Sequence, residues 1–408
     1  MTEPVWIAGV GMTRFGRHED RGVPDLAAEA VRDALADAGL EQRHVDAAFF
    51  GNTTQGALEG QLMMGGQIAL RRMGFERIPV HNVENACATG ATALHLAVAQ
   101  VRAGAADTVL AVGAEKMNVA DRDRAMAVFD GAYDVSDPAG LAATLTALGG
   151  DVDNTAAGRR SVFMDIYAAM ARAHMRRHGT TRQQIAAVAA KNHRHAVHND
   201  RAHHRTALTA EEILAARPLS FPLTVPMCAP LTDGAAAVVV CGRRALERLA
   251  GSRRAVRVLA CVLGSGVERE LHAVDRHVVR LAAHRAYEQA GVGPQDVDVA
   301  EVHDATAFSE IQLTELLGLF EPGTGGPAAA AGVTTLGGRL PVNPSGGLES
   351  KGHPLGATGL AQVYELVNQL RGEAGARQVP HARIALAENA GGFYAGEEAV
   401  AAITLLGV

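Results

Sequence analysis

The sequence predicts an α/β protein made of two similar halves about a pseudo-twofold axis, with a helical segment inserted into the first half. Three observations predict it. Asn85-Ala-Cys-Ala-Thr-Gly-Ala-Thr and Lys351-Gly-His-Pro-Leu-Gly-Ala-Thr superimpose on their Gly-Ala-Thr triplets, which places Cys87 on His353. Ala38-Gly39-Leu40 through Val45-Asp46 aligns without gaps on Ala290-Gly291-Val292 through Val297-Asp298, and the same register carries Gly51-Asn52 onto His303-Asp304. Both matches lie where short apolar runs alternate with helical stretches. The halves are residues 1–118 with 223–250, and 251–408; the insert is 119–222.

The elements follow in order. Val5-Trp-Ile-Ala-Gly-Val-Gly is a buried strand ending in glycines; its Gly-x-Gly lacks the remaining residues of a dinucleotide fingerprint. Asp25 to Gly39 is a helix, with Asp25 placed to cap it and Gly39 to end it. Ala47–Phe50 and Arg77–Asn82 are strands, the second leading into a helix that begins near Cys87, and Thr108–Gly113 is a fully apolar strand. The insert contains one clear helix, Val162–Arg177, stopped by Gly179. The chain returns to strand at Asp233-Gly-Ala-Ala-Ala-Val-Val-Val-Cys. The second half repeats the order: a strand from Val256, a helix Arg276–Ala290, a strand Val299–Val302, the Gly-rich Asn343–Gly359, a helix to about Leu370, and a strand Ile384–Ala387.

A chain of 408 residues can bury a large core. Its net charge of −6 and pI near 6.3 give no reason to expect nucleic acid. The longest apolar run, Ala235–Cys241, is far too short to span a bilayer, and no signal-like segment opens the chain. Cys87, Cys228, Cys241 and Cys261 lack metal or redox spacing, so no metal site is expected and a cytoplasmic location is.

Cys87 lies where a strand meets a helix. Free N–H groups and the positive helix end there favour a thiolate, which predicts a lowered thiol pKa and a nucleophile. His353 across the pseudo-twofold is the base such a thiol needs. His303-Asp304 ends a strand, at the sheet edge where α/β sites form. His193, His195, His198, His203 and His204, with Arg194, Arg201 and Arg205, read as a solvated cationic face rather than a metal site.

Together these segments resemble the thiolase superfamily along the whole chain. Asn85-Ala-Cys-Ala-Thr-Gly resembles its nucleophile motif, His303-Asp304 the His-Asp motif of the sterol-carrier-protein-type and archaeal members, and Asn343–Gly359 their Gly-His-Pro signature. Cys228-Ala-Pro-Leu-Thr-Asp-Gly is similar to the segment that returns from the loop domain. The resemblance implies a duplicated thiolase-type αβαβα core, an inserted loop domain that binds coenzyme A, and a dimer or tetramer. It implies acyl-CoA as substrate with no permanently bound cofactor, and in some relatives a small zinc-bearing OB-fold partner. Cys87 would be acylated, His353 would activate it, and His303 would help form an oxyanion hole. The turns Ser345-Gly346 and Gly391-Gly392 would contact coenzyme A.

One departure stands out. Thiolases use a second cysteine as acid/base at the substrate α-carbon, either in a C-terminal Cys-x-Gly motif or just after His-Asp. Here those positions are Asn389 and Ala305, neither of which transfers a proton. Cys228, Tyr394, Asp304 or a held water are the substitutes open to this chain. Besides acyl transfer through acyl-Cys87, the resemblance leaves a thiolase-related aldolase acting on a CoA ester, and a non-catalytic subunit of a complex.

Overall fold

The apolar runs of both halves join one nine-stranded sheet. The computed structural model describes residues 3–149, 161–249 and 252–408; the boundary drawn between 250 and 251 lies outside them. Its strands are β1 (Val5–Met12), β2 (Ala47–Gly51), β3 (Val80–Val83), β4 (Thr108–Glu115), a short hairpin of β5 (Pro218–Ser220) and β6 (Leu223–Thr224), β7 (Gly234–Gly242), β8 (Val256–Ser265), β9 (Val299–Glu301), β10 (Ile384–Gly391) and β11 (Val400–Gly407). The hairpin stands apart, and the others run β3-β2-β4-β7-β1-β8-β11-β10-β9.

That order is a mirror. From β1 outward the first half goes antiparallel to β7, antiparallel to β4, then parallel to β2 and β3. From β8 outward the second half goes antiparallel to β11, antiparallel to β10, then parallel to β9, with a single parallel bridge from Ala300 to Val342 in the place of a fifth strand. The halves meet through two residue pairs, Trp6 with Arg257 and Ile7 with Val256.

The helices Thr89–Arg102 and Thr358–Arg371 pack on each other and on strands of both halves. Val23–Ala38 covers the far face of the first half, and Val278–Ala290 that of the second. The result is five layers, αβαβα. Val98, Val109, Val240, Leu360, Val363 and Leu406 form one core across the pseudo-twofold. Close approach at its centre requires glycine: a Cβ on Gly113 would lie 1.9 Å from the carbonyl oxygen of Gly356.

Several elements differ from the sequence reading. The first helix starts at Val23; Asp25 lies inside it and reaches back to accept the Gly22 N–H at 3.0 Å. The strand expected over Arg77–Asn82 is Val80–Val83, and the helix expected from Arg276 begins at Val278 after a short 3₁₀ turn. The segment between β4 and β7 holds more helices than the one expected, including Arg182–Ala196, capped by Thr181 with Gln184. The stretch His193 to Arg205, expected as a solvated cationic face, does expose Arg194, His198, His204 and Arg205. His193 and His195 are instead buried, since each finds backbone partners: His193 Nε2 meets Pro226 O at 3.1 Å, and His195 meets Asn343 O and Leu336 N, both at 3.0 Å. No helix among the described residues is long and apolar enough to cross a membrane.

Candidate active site

Cys87 sits in the turn between β3 and the helix Thr89–Arg102. Ala86 before it has φ of 48°, uncommon for a residue with a side chain. Thr89 holds this turn: its hydroxyl donates to Ala86 O at 2.7 Å and accepts the Asn85 N–H at 2.7 Å. The N–H groups of Cys87 and Gly392 face the sulfur. Gly391 lets β10 come that close, because a Cβ there would be 2.7 Å from the Ala88 nitrogen. The sequence suggested a lowered thiol pKa. The structure reverses the sign: burial, with the carboxylates of Glu115 and Glu84, pushes the Cys87 thiol up to about 12, and the N–H groups offset only part of this.

His353 supplies what a neutral thiol lacks. Thr358 donates its hydroxyl hydrogen to Pro354 O at 3.0 Å, so its oxygen accepts from His353 Nδ1 at 2.7 Å. That assigns the ring proton to Nδ1. Nε2 is left as a buried lone pair with no hydrogen-bond partner. Burial, then His303 and Lys351, hold this imidazole well below its ordinary pKa, so it is a free base.

His303 has the opposite tautomer. Its Nδ1 accepts from Asn389 Nδ2 at 2.9 Å, which leaves Nε2 carrying the hydrogen. Burial lowers its pKa to about 3, so it is a neutral donor. Its backbone N–H is anchored on Glu388 Oε2 at 2.9 Å. The two imidazoles stand edge to face, 4.9 Å between centroids. The Cys87 sulfur and one ring nitrogen from each lie within 4.8 Å of one another. One thiol and two imidazoles can also grip a soft cation, but a ligand nitrogen must be unprotonated. The hydrogen on His303 Nε2 fits oxyanion binding instead.

The three face a cavity of about 480 Å³. Phe129, Phe163, Met164 and Tyr167 from the inserted segment form its apolar wall, and Arg217 with His204 stands on the polar side. Ala305 and Cys228 are also on the wall, side by side, since Ala229 N–H donates to Ala305 O at 3.0 Å.

The remaining residues singled out in the sequence are placed differently. Ser345 is fully buried, and its hydroxyl and N–H both bind the Glu301 carboxylate, at 2.7 and 3.0 Å. Gly346 packs on Ala196, where a Cβ would come within 2.6 Å. Neither lines the cavity, so contact with coenzyme A there has no support. Gly391 and Gly392 serve the nucleophile's backbone. Asp304 spends both oxygens on Leu348 N–H and Asn192 Nδ2, at 2.7 and 3.0 Å. Tyr394 is 61% exposed and lies in a separate surface depression, which removes it as a proton carrier. Two residues escaped sequence reasoning: Thr358, which lies five residues past His353, and Glu349, one charge in a Gly-rich stretch.

Two family models match, described as Thiolase, N-terminal domain, over residues 5–209, and Thiolase C-terminal domain-like, over residues 267–404. The chain is 38% identical over 392 residues to the acetyl-CoA acetyltransferase of Methanothermobacter thermautotrophicus, covering 95% of this chain and 96% of that one. It is 36% identical over 398 residues to sterol carrier protein 2 of Oryctolagus cuniculus, covering 95% of this chain and 70% of that longer relative. Among solved structures, the Ltp2-ChsH2(DUF35) aldolase superimposes with a TM-score of 0.78 at 24% identity, over 99% of this chain and 98% of that one, a likeness of fold. With both halves matched and relatives aligned along nearly all of its length, the chain belongs to the thiolase family of acyltransferases.

Proposed function

We propose that this chain transfers acyl groups from coenzyme A thioesters through an acyl-Cys87 intermediate, in C-acyl transfer or in thiolysis of a 3-oxoacyl-CoA. The observation that carries the reading is the unpartnered Nε2 of His353, grouped within 4.8 Å with the Cys87 sulfur. As sulfur attacks the thioester carbonyl, its proton passes to His353 Nε2. The oxygen gains negative charge, and the donors available to it are His303 Nε2–H and the N–H groups of Cys87 and Gly392. The carbon–sulfur bond to coenzyme A then breaks, and the departing thiolate takes the proton back from His353. The acyl group is left on Cys87.

The apolar wall built by Phe129, Phe163, Met164 and Tyr167 supports an acyl chain, and the insert (residues 119–222) as the part that holds coenzyme A. Arg217 on the polar side supports a phosphate-bearing arm entering there. Two copies per assembly are supported by β3, an edge strand with exposed His81 and Asn82, and by Leu62, Met63 and Met64, exposed by 78, 74 and 60%. The aldolase neighbour is a complex with a DUF35 chain, which supports a small partner protein here too. Four free thiols support a reducing, cytoplasmic setting.

The same neighbour, together with Ala305 and Asn389 where the thiolase resemblance calls for a second cysteine, favours a second reading as a lyase on a CoA ester. The intact mass of the protein after brief exposure to acetyl-CoA separates the two. Acyl transfer gives one added acetyl group, lost in Cys87→Ser; a lyase gives none.

A further inference from the structure

Glu349 lies in the five-residue helical turn Gly347–Lys351, 1% exposed, on the wall of the cavity that holds Cys87, His303 and His353. Its Oε1 accepts from Asn192 Nδ2 at 3.0 Å, and its Oε2 is buried with no hydrogen-bond partner. Asn192 offers the same nitrogen to Asp304 Oδ2 at 3.0 Å and to Glu310 Oε2 at 3.2 Å. Two amide hydrogens thus face three carboxyl groups. One ammonium, Lys191, stands among them, 2.6 Å from Glu310. Three buried negative charges beside one positive charge are too costly to keep, so the cluster retains a proton.

The hydrogen bonds say where that proton resides. Glu310 has Lys191 and the Asn343 amide, the latter at 2.8 Å. Asp304 has Leu348 N–H at 2.7 Å in addition to Asn192. Glu349 has one shared hydrogen and a bare oxygen, and it is the member on the cavity wall. Burial, then the Asp304 carboxylate, push its carboxyl well above the usual range. Glu349 also acts on the Cys228 thiol, whose residue is bridged to Thr306, next to Ala305.

We propose that Glu349 is the acid/base group at the substrate α-carbon, the task for which positions 305 and 389 offer no thiol. The proposal rests on the acyl-Cys87 reading. In thiolysis, Cys87 attacks the 3-oxo carbonyl and the bond between its carbon and the α-carbon breaks. The electron pair passes to the α-carbon as an enolate, and Glu349 gives it a proton. The thiol of coenzyme A then takes the acyl group; the departing Cys87 thiolate recovers the proton that His353 took from it, and the coenzyme A thiol proton ends on the Glu349 carboxylate, which restores the resting site. In condensation Glu349 first releases its proton to solvent; the carboxylate then removes the α-proton, the carbanion attacks acyl-Cys87, and the departing Cys87 thiolate is reprotonated from solvent through His353. A resting state with the proton on Glu349 is poised for carbon–carbon cleavage.

The test separates the half-reactions in the full-length protein. Glu349→Gln keeps the shape and an oxygen for Asn192 but carries no exchangeable acid. It should acylate Cys87 from acetyl-CoA within about threefold of the parent rate, while thiolysis of acetoacetyl-CoA and exchange of acetyl-CoA α-protons with D₂O fall about 10²–10⁴-fold. Glu349→Asp, which keeps a carboxyl group, should recover part of both. Unchanged thiolysis in Glu349→Gln overturns the proposal. Equal losses in acylation and thiolysis also overturn it, by reducing Glu349 to a structural role. If the unmodified protein fails to acylate Cys87, the acyl-enzyme reading falls first, whatever Glu349 does.

Discussion

Asn389 donates its side-chain amide hydrogen to His303 Nδ1 across 2.9 Å, and that single bond makes His303 a donor at Nε2. At the sequence level Asn389 reads only as the loss of a cysteine. Its position gives it work of its own, fixing a tautomer. Asn389→Asp would accept a proton from Nδ1 and strip Nε2 of its hydrogen, the type of error that costs orders of magnitude in catalytic triads. Turnover should fall at least about tenfold while alkylation of Cys87 is unchanged, since the sulfur does not depend on His303. Activity scans beside iodoacetamide kinetics check this. Parallel loss of both would mean that Asn389 holds the nucleophile's loop instead.

His353→Ala removes the free lone pair beside Cys87 and leaves Thr358 still bonded to Pro354 O. Acylation by acetyl-CoA, read from the rate of coenzyme A release in the first turnover, should drop about 10²–10⁴-fold with the fold retained. His303→Ala should instead slow turnover with the thiol still open to alkylation. Normal acylation in His353→Ala would remove this imidazole from the chemistry.

The pH dependence follows from two shifts of opposite kind. His353 has its pKa lowered by burial, so it stays unprotonated as pH falls, and no acid limb centred on an ordinary imidazole is expected. Acylation should vary less than about twofold between pH 6 and 8, where an unperturbed histidine would titrate. Cys87 has its pKa raised to about 12, so its thiolate fraction keeps growing with pH. Iodoacetamide should therefore react faster with each step up to pH 9, without a plateau near 7. It should still reach Cys87 before Cys228, Cys241 and Cys261, which are buried where Cys87 is half-buried. A plateau at neutral pH would show a thiolate–imidazolium pair in the resting enzyme.

Much of this was legible in the sequence, and what was not has physical reasons. The duplication was visible because the two Gly-Ala-Thr turns keep identical spacing to Cys87 and His353, the residues that the halves bring together. The strands were visible because a sheet covered on both faces needs continuous apolar runs such as Val109–Val112. The histidine- and arginine-rich stretch His193 to Arg205 was misread at His193 and His195 because polarity was taken as exposure. His193 and His195 go inside by finding carbonyl partners that local sequence does not reveal. The thiol shift had the wrong sign because the helix end was weighed without desolvation, the larger effect at Cys87. Nothing in the local sequence marks Glu349 as buried. Its burial depends on Asn192, 157 positions away along the chain.

The last prediction concerns the joint between the halves. Glu115, at the end of β4 and fully buried, accepts five hydrogen bonds. Asn52 Nδ2 and the Thr54 hydroxyl and N–H reach Oε1 at 2.9, 2.6 and 2.9 Å, and the Thr53 and Gly356 N–H groups reach Oε2 at 3.1 and 2.9 Å. Gly356 belongs to the second half and lies three residues past His353, so this carboxylate ties the base's loop to the sheet of the nucleophile's half. Glu115→Gln keeps the size but points an NH₂ group at donors on one side or the other. Buried donors would face donors, at a cost of about 1–3 kcal/mol for each group left unsatisfied. The urea midpoint should fall, and acylation should slow beyond what lost stability explains, because the His353 loop loses its anchor while the Thr358 bond that fixes the imidazole tautomer remains. Lower stability with full acylation in the protein that stays folded would confine Glu115 to the fold and leave His353 held by its own loop.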